Sequence, residues 1–245
     1  MSQTLPGKIG FWLSLPLSAV QGLWLRRTAP RMPEAPGERY GQVGHGETLR
    51  LLAMGDSIIV GVGLKAISHA LPVQFATALA QIRGCRVEWQ LEARNGANIS
   101  DLRNTISRLD DKQPADVILI SIGVNDVTGL ISQRNWQSQL EALADDLKKK
   151  WPDSRVIFTG LPPMGEFPLP PQPLRFTLGF RAAALDHIAA ELLKNQAGIL
   201  HVPTSIHPDH QRFCKDGFHP ARESCEFWAI ELAQRIEADN LVSRN

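Results

Sequence analysis

Leu51-Leu52-Ala53-Met54-Gly55-Asp56-Ser57 is a short apolar run that breaks off into glycine, aspartate and serine. An apolar run of that length ending in turn residues is the pattern of a buried strand at its carboxyl end. The expectation is that a helix follows, so that the Ser57 hydroxyl stands at a strand-to-helix junction, a good position for a nucleophile. Far downstream, Asp216-Gly217-Phe218-His219 answers it. A histidine three residues after an aspartate can be held by that carboxylate through a local hydrogen bond, which leaves its other ring nitrogen free to move a proton.

Working outward, apolar runs at 50–55, 85–92, 116–122, 155–160 and 198–202 predict five strands. Helical periodicity predicts helices over 70–83, 99–109, 133–150, 176–195 and 221–238. Pro72 suits a first helical turn and Pro152 stops the helix that ends in Lys148-Lys149-Lys150. This alternation predicts the α/β class, a parallel sheet covered on both faces. Ligands of such sheets bind beyond the carboxyl ends of the strands. Gly55-Asp56-Ser57, Asn95-Gly96 and Gly123-Val124-Asn125-Asp126 follow the first three strands, and Asp216 to His219 lies in the connection after the fifth. Four separate segments therefore converge on one edge.

Taken singly these motifs are ordinary: Gly-Asp-Ser is common turn and N-cap material, and Asn-Gly is a tight turn. Their conjunction carries the chemistry. Of the seven histidines only His219 has a carboxylate three positions before it, so Ser57, His219 and Asp216 take the roles of nucleophile, base and orienting carboxylate. Acyl transfer also needs donors for the developing oxyanion, and the Asn125 amide and the Gly96 backbone N–H supply them. No Gly-x-Ser-x-Gly occurs anywhere, so the nucleophile elbow of the α/β-hydrolases is excluded. His207 and His210 read as a polar surface loop, because a zinc site would need a third ligand that the sequence does not offer. No metal is called for.

Composition narrows the rest. With 245 residues, 43% hydrophobic and 21% charged, the chain can bury one substantial core. Its 26 basic and 25 acidic side chains leave a net charge of +1, and no basic block is interleaved with aromatics, so nucleic acid is not a partner. Cys85, Cys214 and Cys225 form no CxxC pair and are odd in number, which points to free thiols in a reducing, cytoplasmic setting. The leucine- and proline-rich segment 161–176 reads as a stiff loop at the rim of the site. Phe167, Phe176, Trp136 and Phe213 are candidates for an apolar acyl pocket, or else core.

Ile9 to Leu25 is an uncharged stretch of 17 residues between Lys8 and Arg26-Arg27. It sits at the short edge of the roughly 17–25 residues that span a bilayer, and it contains Pro16 and Gln21. Residues 1–27 are expected to be a short membrane anchor or an interfacial helix at the inner face of a membrane, or else a helix packed on the catalytic domain. Residues 28–48, rich in proline and glycine, read as a linker or surface strap, and 49–245 as the catalytic domain.

Ser57, Gly96, Asn125 and His219, in that order, resemble the four blocks of the SGNH/GDSL hydrolase family over roughly residues 49–238. The resemblance implies a three-layer α/β/α, flavodoxin-like fold with a five-stranded parallel sheet, and an esterase or lipase-like hydrolase without metal or other cofactor. It adds the Ser57 N–H to Gly96 and Asn125 as a third oxyanion donor. The chain departs from the family after the nucleophile, where Ile58-Ile59-Val60 replace more polar residues, and that leaves the substrate class open. The expectation is hydrolysis of a small or lipid-like carboxylic ester. The alternatives are acyl transfer to an alcohol or sugar, and a non-catalytic lipid- or glycan-binding module.

Overall fold

The computed structural model describes residues 5–110, 113–204 and 213–242. Its strands are β1 (Tyr40–Gly44), β2 (Thr48–Gly55), β3 (Arg86–Ala93), β4 (Val117–Ser121), β5 (Arg155–Thr159) and β6 (Ile199–Val202). They form one six-stranded sheet in the order β1-β3-β2-β4-β5-β6. The five parallel strands are the five expected from the apolar runs, with Ala53 aligned to both Leu91 and Leu119, and Leu119 to Ile157. The central strand β4 is buried along its whole length, as a strand covered on both faces must be.

The connections decide where the helices go. From β2 the chain winds outward to β3, then returns past β2 to β4, β5 and β6. Right-handed crossovers in opposite directions place their helices on opposite faces of the sheet. Accordingly α2 (Leu71–Arg83) packs with α7 (Arg222–Val242), while α3 (Ile99–Arg108), α5 (Gln133–Lys150) and α6 (Leu174–Leu193) form the other layer. The reversal lies between β2 and β4, where their carboxyl ends meet at the Gly55–Ser121 pair, and a crevice opens at such a switch point. Local chemistry agrees with these boundaries. Pro72 sits in the first turn of α2, and Asn98 and Asp101 make a reciprocal capping box on α3.

Two elements modify the expected plan. Within residues 28–48, β1 pairs antiparallel with β3, Val43 opposite Val87, and extends the sheet at its edge. Tyr40-Gly41-Gln42-Val43-Gly44 carries two glycines and no buried residue, so its strand character comes from the ladder it joins. The N-terminal segment forms α1 (Leu5–Thr28), which packs on α6. Ser14 and Ser18 hydrogen-bond to the Thr177 hydroxyl at 3.0 and 2.8 Å, and Gln21 Oε1 accepts from the Leu174 N–H at 3.0 Å. The Phe11 and Phe180 rings stack with centroids 5.1 Å apart. Among the described residues no helix is long and apolar enough to cross a membrane.

From α1 the chain runs as a strap along the carboxyl edge of the sheet. Pro33 O accepts from Gly63 N–H, Ala35 N–H donates to Val60 O, and Glu34 accepts from the Asn95 N–H.

Candidate active site

Beyond β2 the chain does not enter a helix directly, as the strand-to-helix reading of Ser57 expected, but coils through residues 56–63 in successive turns. Gly55 makes the exit: a Cβ there would lie 1.9 Å from Ser121 O, so only glycine lets the two strand ends approach. Asp56 N–H donates to the same Ser121 carbonyl, Asp56 Oδ1 accepts from Ile58 N–H at 3.1 Å, and Val62 N–H donates to Ser57 O. Ile58, Ile59 and Val60 are buried by this coil. The apolar residues that set this chain apart after Ser57 are therefore part of its core.

His219 and Asp216 lie in a short loop closed by Cys214 N–H donating to His219 O at 2.7 Å and by a bridge between Phe213 and Pro220. His219 Nδ1 is 2.6 Å from Asp216 Oδ2, while Asp216 Oδ1 accepts the backbone N–H groups of Phe218 and His219, each at 3.0 Å. Burial pushes the Asp216 carboxyl up, but the bonds from the His219 ring and these two N–H groups outweigh it and hold the group below the ordinary carboxylate range. The loop meets the Ser57 coil directly, since a Cβ on Gly63 would lie 3.0 Å from Cys214 Sγ. All three cysteines are free. Ser57 is 7% exposed, and among the described residues its hydroxyl has no hydrogen-bond partner.

Asn125 stands on α4 (Val124–Thr128), which begins directly beyond β4. Its Nδ2 donates one hydrogen to Ala97 O at 2.8 Å, which fixes the amide and leaves the second hydrogen available. That bond brings Asn125 beside the Asn95-Gly96 turn. The backbone N–H groups of Ser57 and Gly96 have no acceptor among the described residues, and the space beside Gly96 is open. Three donors are thus left unspent at one edge of the sheet.

Two buried carboxyls stand behind this edge. Burial raises Asp56 from 3.8 to about 7, against the Ile58 N–H and His219, with the Asp126 charge adding to the rise. Burial raises Asp126 likewise, to about 7, although it accepts from the Ile99 N–H at 3.1 Å and so ties the start of α3 to α4. The far end of α4 is held by two arginines. Arg181 of α6 donates to Val127 O and Ile131 O, and Arg26 of α1 donates to Thr128 O. Sequence reasoning gave Asp56, Asp126 and Arg181 no role of their own and read Arg26 only as a charge flanking the apolar N-terminal stretch. The arginines reach across the fold to backbone oxygens, and no local spacing announces that.

Of the four aromatic candidates, two lie at the site. Phe167 packs against Phe213 and Phe218, and Phe218 against His219, with centroids 5.2 to 5.4 Å apart. Trp136 instead is core between α5 and α6, its indole N–H donating to Leu185 O, and Phe176 lies under α1 beside Gly10 and Phe180. The segment expected as a stiff loop over 161–176 ends sooner, because Leu174–Phe176 already open α6, and its middle is tied to the histidine loop by Leu169 N–H donating to Gly217 O. His207 and His210 fall outside the described residues. A broad hollow at the opposite, amino-terminal edge, lined by Glu47, Arg83, Asp116, Arg155 and Glu237, is far from this chemistry, and its Arg83–Glu237 ion pair gives those charges a structural use.

Solved structures with this fold include an extracellular lipase from Streptomyces rimosus, 15% identical with a TM-score of 0.58, covering 76% of this chain and 99% of its own. The psychrotrophic esterase EstA from Pseudoalteromonas sp. is 12% identical with a TM-score of 0.60, covering 78% and 98%. A family two carbohydrate esterase from Cellvibrio japonicus is 16% identical with a TM-score of 0.60, covering 80% and 62%. No curated protein sequence gives a significant match. The profile of the GDSL-like lipase/acylhydrolase family spans residues 53–224. That stretch runs from the end of β2 through the histidine loop, and by it the chain belongs to the GDSL-like lipase/acylhydrolase family of ester hydrolases.

Proposed function

We propose that this chain hydrolyses carboxylic esters of a small or lipid-like acylated substrate through an acyl-enzyme on Ser57. The observation that carries the reading is the set of unspent donors, Ser57 N–H, Gly96 N–H and the second Asn125 amide hydrogen, on the edge that also holds the Asp216–His219 pair. Asp216 keeps the proton of His219 on Nδ1, so Nε2 takes the Ser57 proton as Oγ bonds to the ester carbonyl carbon. The carbonyl oxygen, now an oxyanion, is met by the three donors. The tetrahedral centre collapses, the ester C–O bond breaks, and His219 returns the proton to the departing alcohol. A water deprotonated by His219 then attacks the acyl-enzyme, and its collapse releases the carboxylic acid and restores Ser57. The Phe167, Phe213 and Phe218 cluster beside His219 gives an acyl chain an apolar wall.

The test is turnover of p-nitrophenyl esters from acetyl to long acyl chains. Ser57→Ala is expected to abolish it, and Asn125→Ala to lower kcat by on the order of 10² to 10³. An Asn125→Ala enzyme with normal kcat removes that residue from the hole. Folded protein that releases acid from no ester, but acylates an added alcohol or sugar, replaces hydrolysis with transfer.

A further inference from the structure

We propose that the outer face of α1 is a docking surface for a bilayer carrying anionic headgroups, and that it sets the Ser57 edge of the sheet at the lipid surface. The helix is inverted relative to one that faces water. Its polar side chains Ser14, Ser18 and Gln21 point inward, spent on Thr177, Leu174 and Gln172 of the body. Outward, Ile9, Trp12, Leu13, Leu17, Val20, Leu23 and Trp24 are 54% to 78% exposed and follow one another at helical spacing. An apolar face of that extent marks a contact with something other than water. With one side of α1 committed to α6, the helix is placed to lie on a bilayer and not to cross it.

Charge says which medium covers the face. Residues 1–33 hold Lys8, Arg26, Arg27 and Arg31 and no acidic side chain, which leaves 22 of the 26 basic side chains against all 25 acidic ones in the rest. The positive charge is concentrated on the segment that carries the apolar face, and Arg26 and Arg27 are exposed at its end. That distribution suits anionic headgroups above an acyl layer, with indoles at the boundary. The same end of α1 is bonded to α4 through Arg26, and the strap that leaves it runs past Val60, Gly63 and Asn95. A docked α1 therefore brings the candidate site to the interface. This orientation, and the lipid-like substrate class it implies, rest on the reading of Ser57 as nucleophile, whereas the docking face itself does not.

The experiment is co-flotation of the full chain with vesicles of phosphatidylcholine containing phosphatidylglycerol, or of phosphatidylcholine alone, with turnover of a long-chain ester carried in the vesicle and of soluble p-nitrophenyl acetate. Wild type and Ser57→Ala should both float with the anionic vesicles, less so at high salt. The triple variant Trp12→Ser/Leu17→Gln/Trp24→Ser changes only exposed positions. It should lose roughly tenfold or more in vesicle partition and lose vesicle-ester turnover, while keeping its melting temperature and its p-nitrophenyl acetate rate. Wild type that floats with neither vesicle overturns the proposal, as does a dimer in light scattering that the triple variant abolishes. Equal flotation on neutral vesicles overturns the role of charge. Flotation of a Ser57→Ala protein that still cleaves ester leaves the docking face standing and refutes the nucleophile.

Discussion

Asp56, in the coil that carries Ser57, and Asp126 of α4 are both buried and keep their protons to about pH 7 in the folded chain, against 3.8 for an ordinary aspartate. Between those values the folded state binds protons that the unfolded state has released, so their contribution to stability is complete below about 3.8 and lost as pH rises through about 7. The ceiling is ~4 kcal/mol for each. Asp216, held low by its His219 bond, acts in the opposite sense and only as pH falls below the ordinary range, so the windows do not overlap. Thermal melts from pH 5 to 8 should therefore show wild type losing stability with rising pH, and Asp56→Asn losing roughly half as much. An unchanged slope in Asp56→Asn would mean that Asp56 is ionised throughout. The meeting of the Ser57, Gly96 and Asn125 segments at one edge was legible because each follows a strand of one parallel sheet, and the Asp216–His219 pair because the two residues are neighbours in the chain. The burial of Asp56 was not, since nothing in Gly-Asp-Ser says that one oxygen of the carboxyl will lie buried without a partner among the described residues. Nor was the distinction between Phe213 and Trp136, because an aromatic residue in the sequence does not state which layer it faces.

β2, β4 and β5 were legible as apolar runs because a strand buried on both faces is apolar along nearly its whole length, β3 as an alternation of Val87, Trp89 and Leu91 with polar residues, and β6 as a short run. The edge strand β1 was not, since it is polar, glycine-containing and defined by its partner. The junction after β2 shows how much one position can carry at the scale of an element. In Gly55→Ala the new methyl would meet Ser121 O at 1.9 Å with φ at +147°, so β2 and β4 would have to separate where the Ser57 and Asn125 segments begin. The expected cost is above ~2 kcal/mol, with soluble-ester turnover falling in step. Gly84→Ala is the control. It also has positive φ, +61° at the end of α2, but nothing lies within 4 Å, and it should cost only ~1 kcal/mol. Denaturant titration of the two variants checks this, and equal midpoints would show that the approach to Ser121 does not constrain the junction.

At the scale of the whole molecule, α1 with its strap and β1 do two different jobs that shortened chains separate. A chain beginning at Glu38 loses α1 and the strap, which uncovers Thr177, Phe176 and Phe180 on α6 and takes Glu34 from the Asn95 N–H, but it keeps the β1–β3 ladder. A chain beginning at Gly46 also loses β1. That opens the edge of β3 from Arg86 to Gln90 and strips Gly41 from the Trp89 indole it lies against. Open edges recruit other chains, whereas an uncovered helix face mainly costs burial. The first shortening should therefore lower the melting temperature by ~5 to 10 °C, at roughly 2–4 °C per kcal/mol for a chain of this size, and leave a monomer. The second should lower it further and add concentration-dependent aggregation. Calorimetry and light scattering of the two shortened chains distinguish these outcomes. If both melt alike and both stay monomeric, β1 contributes nothing to the sheet, and the catalytic unit begins at β2.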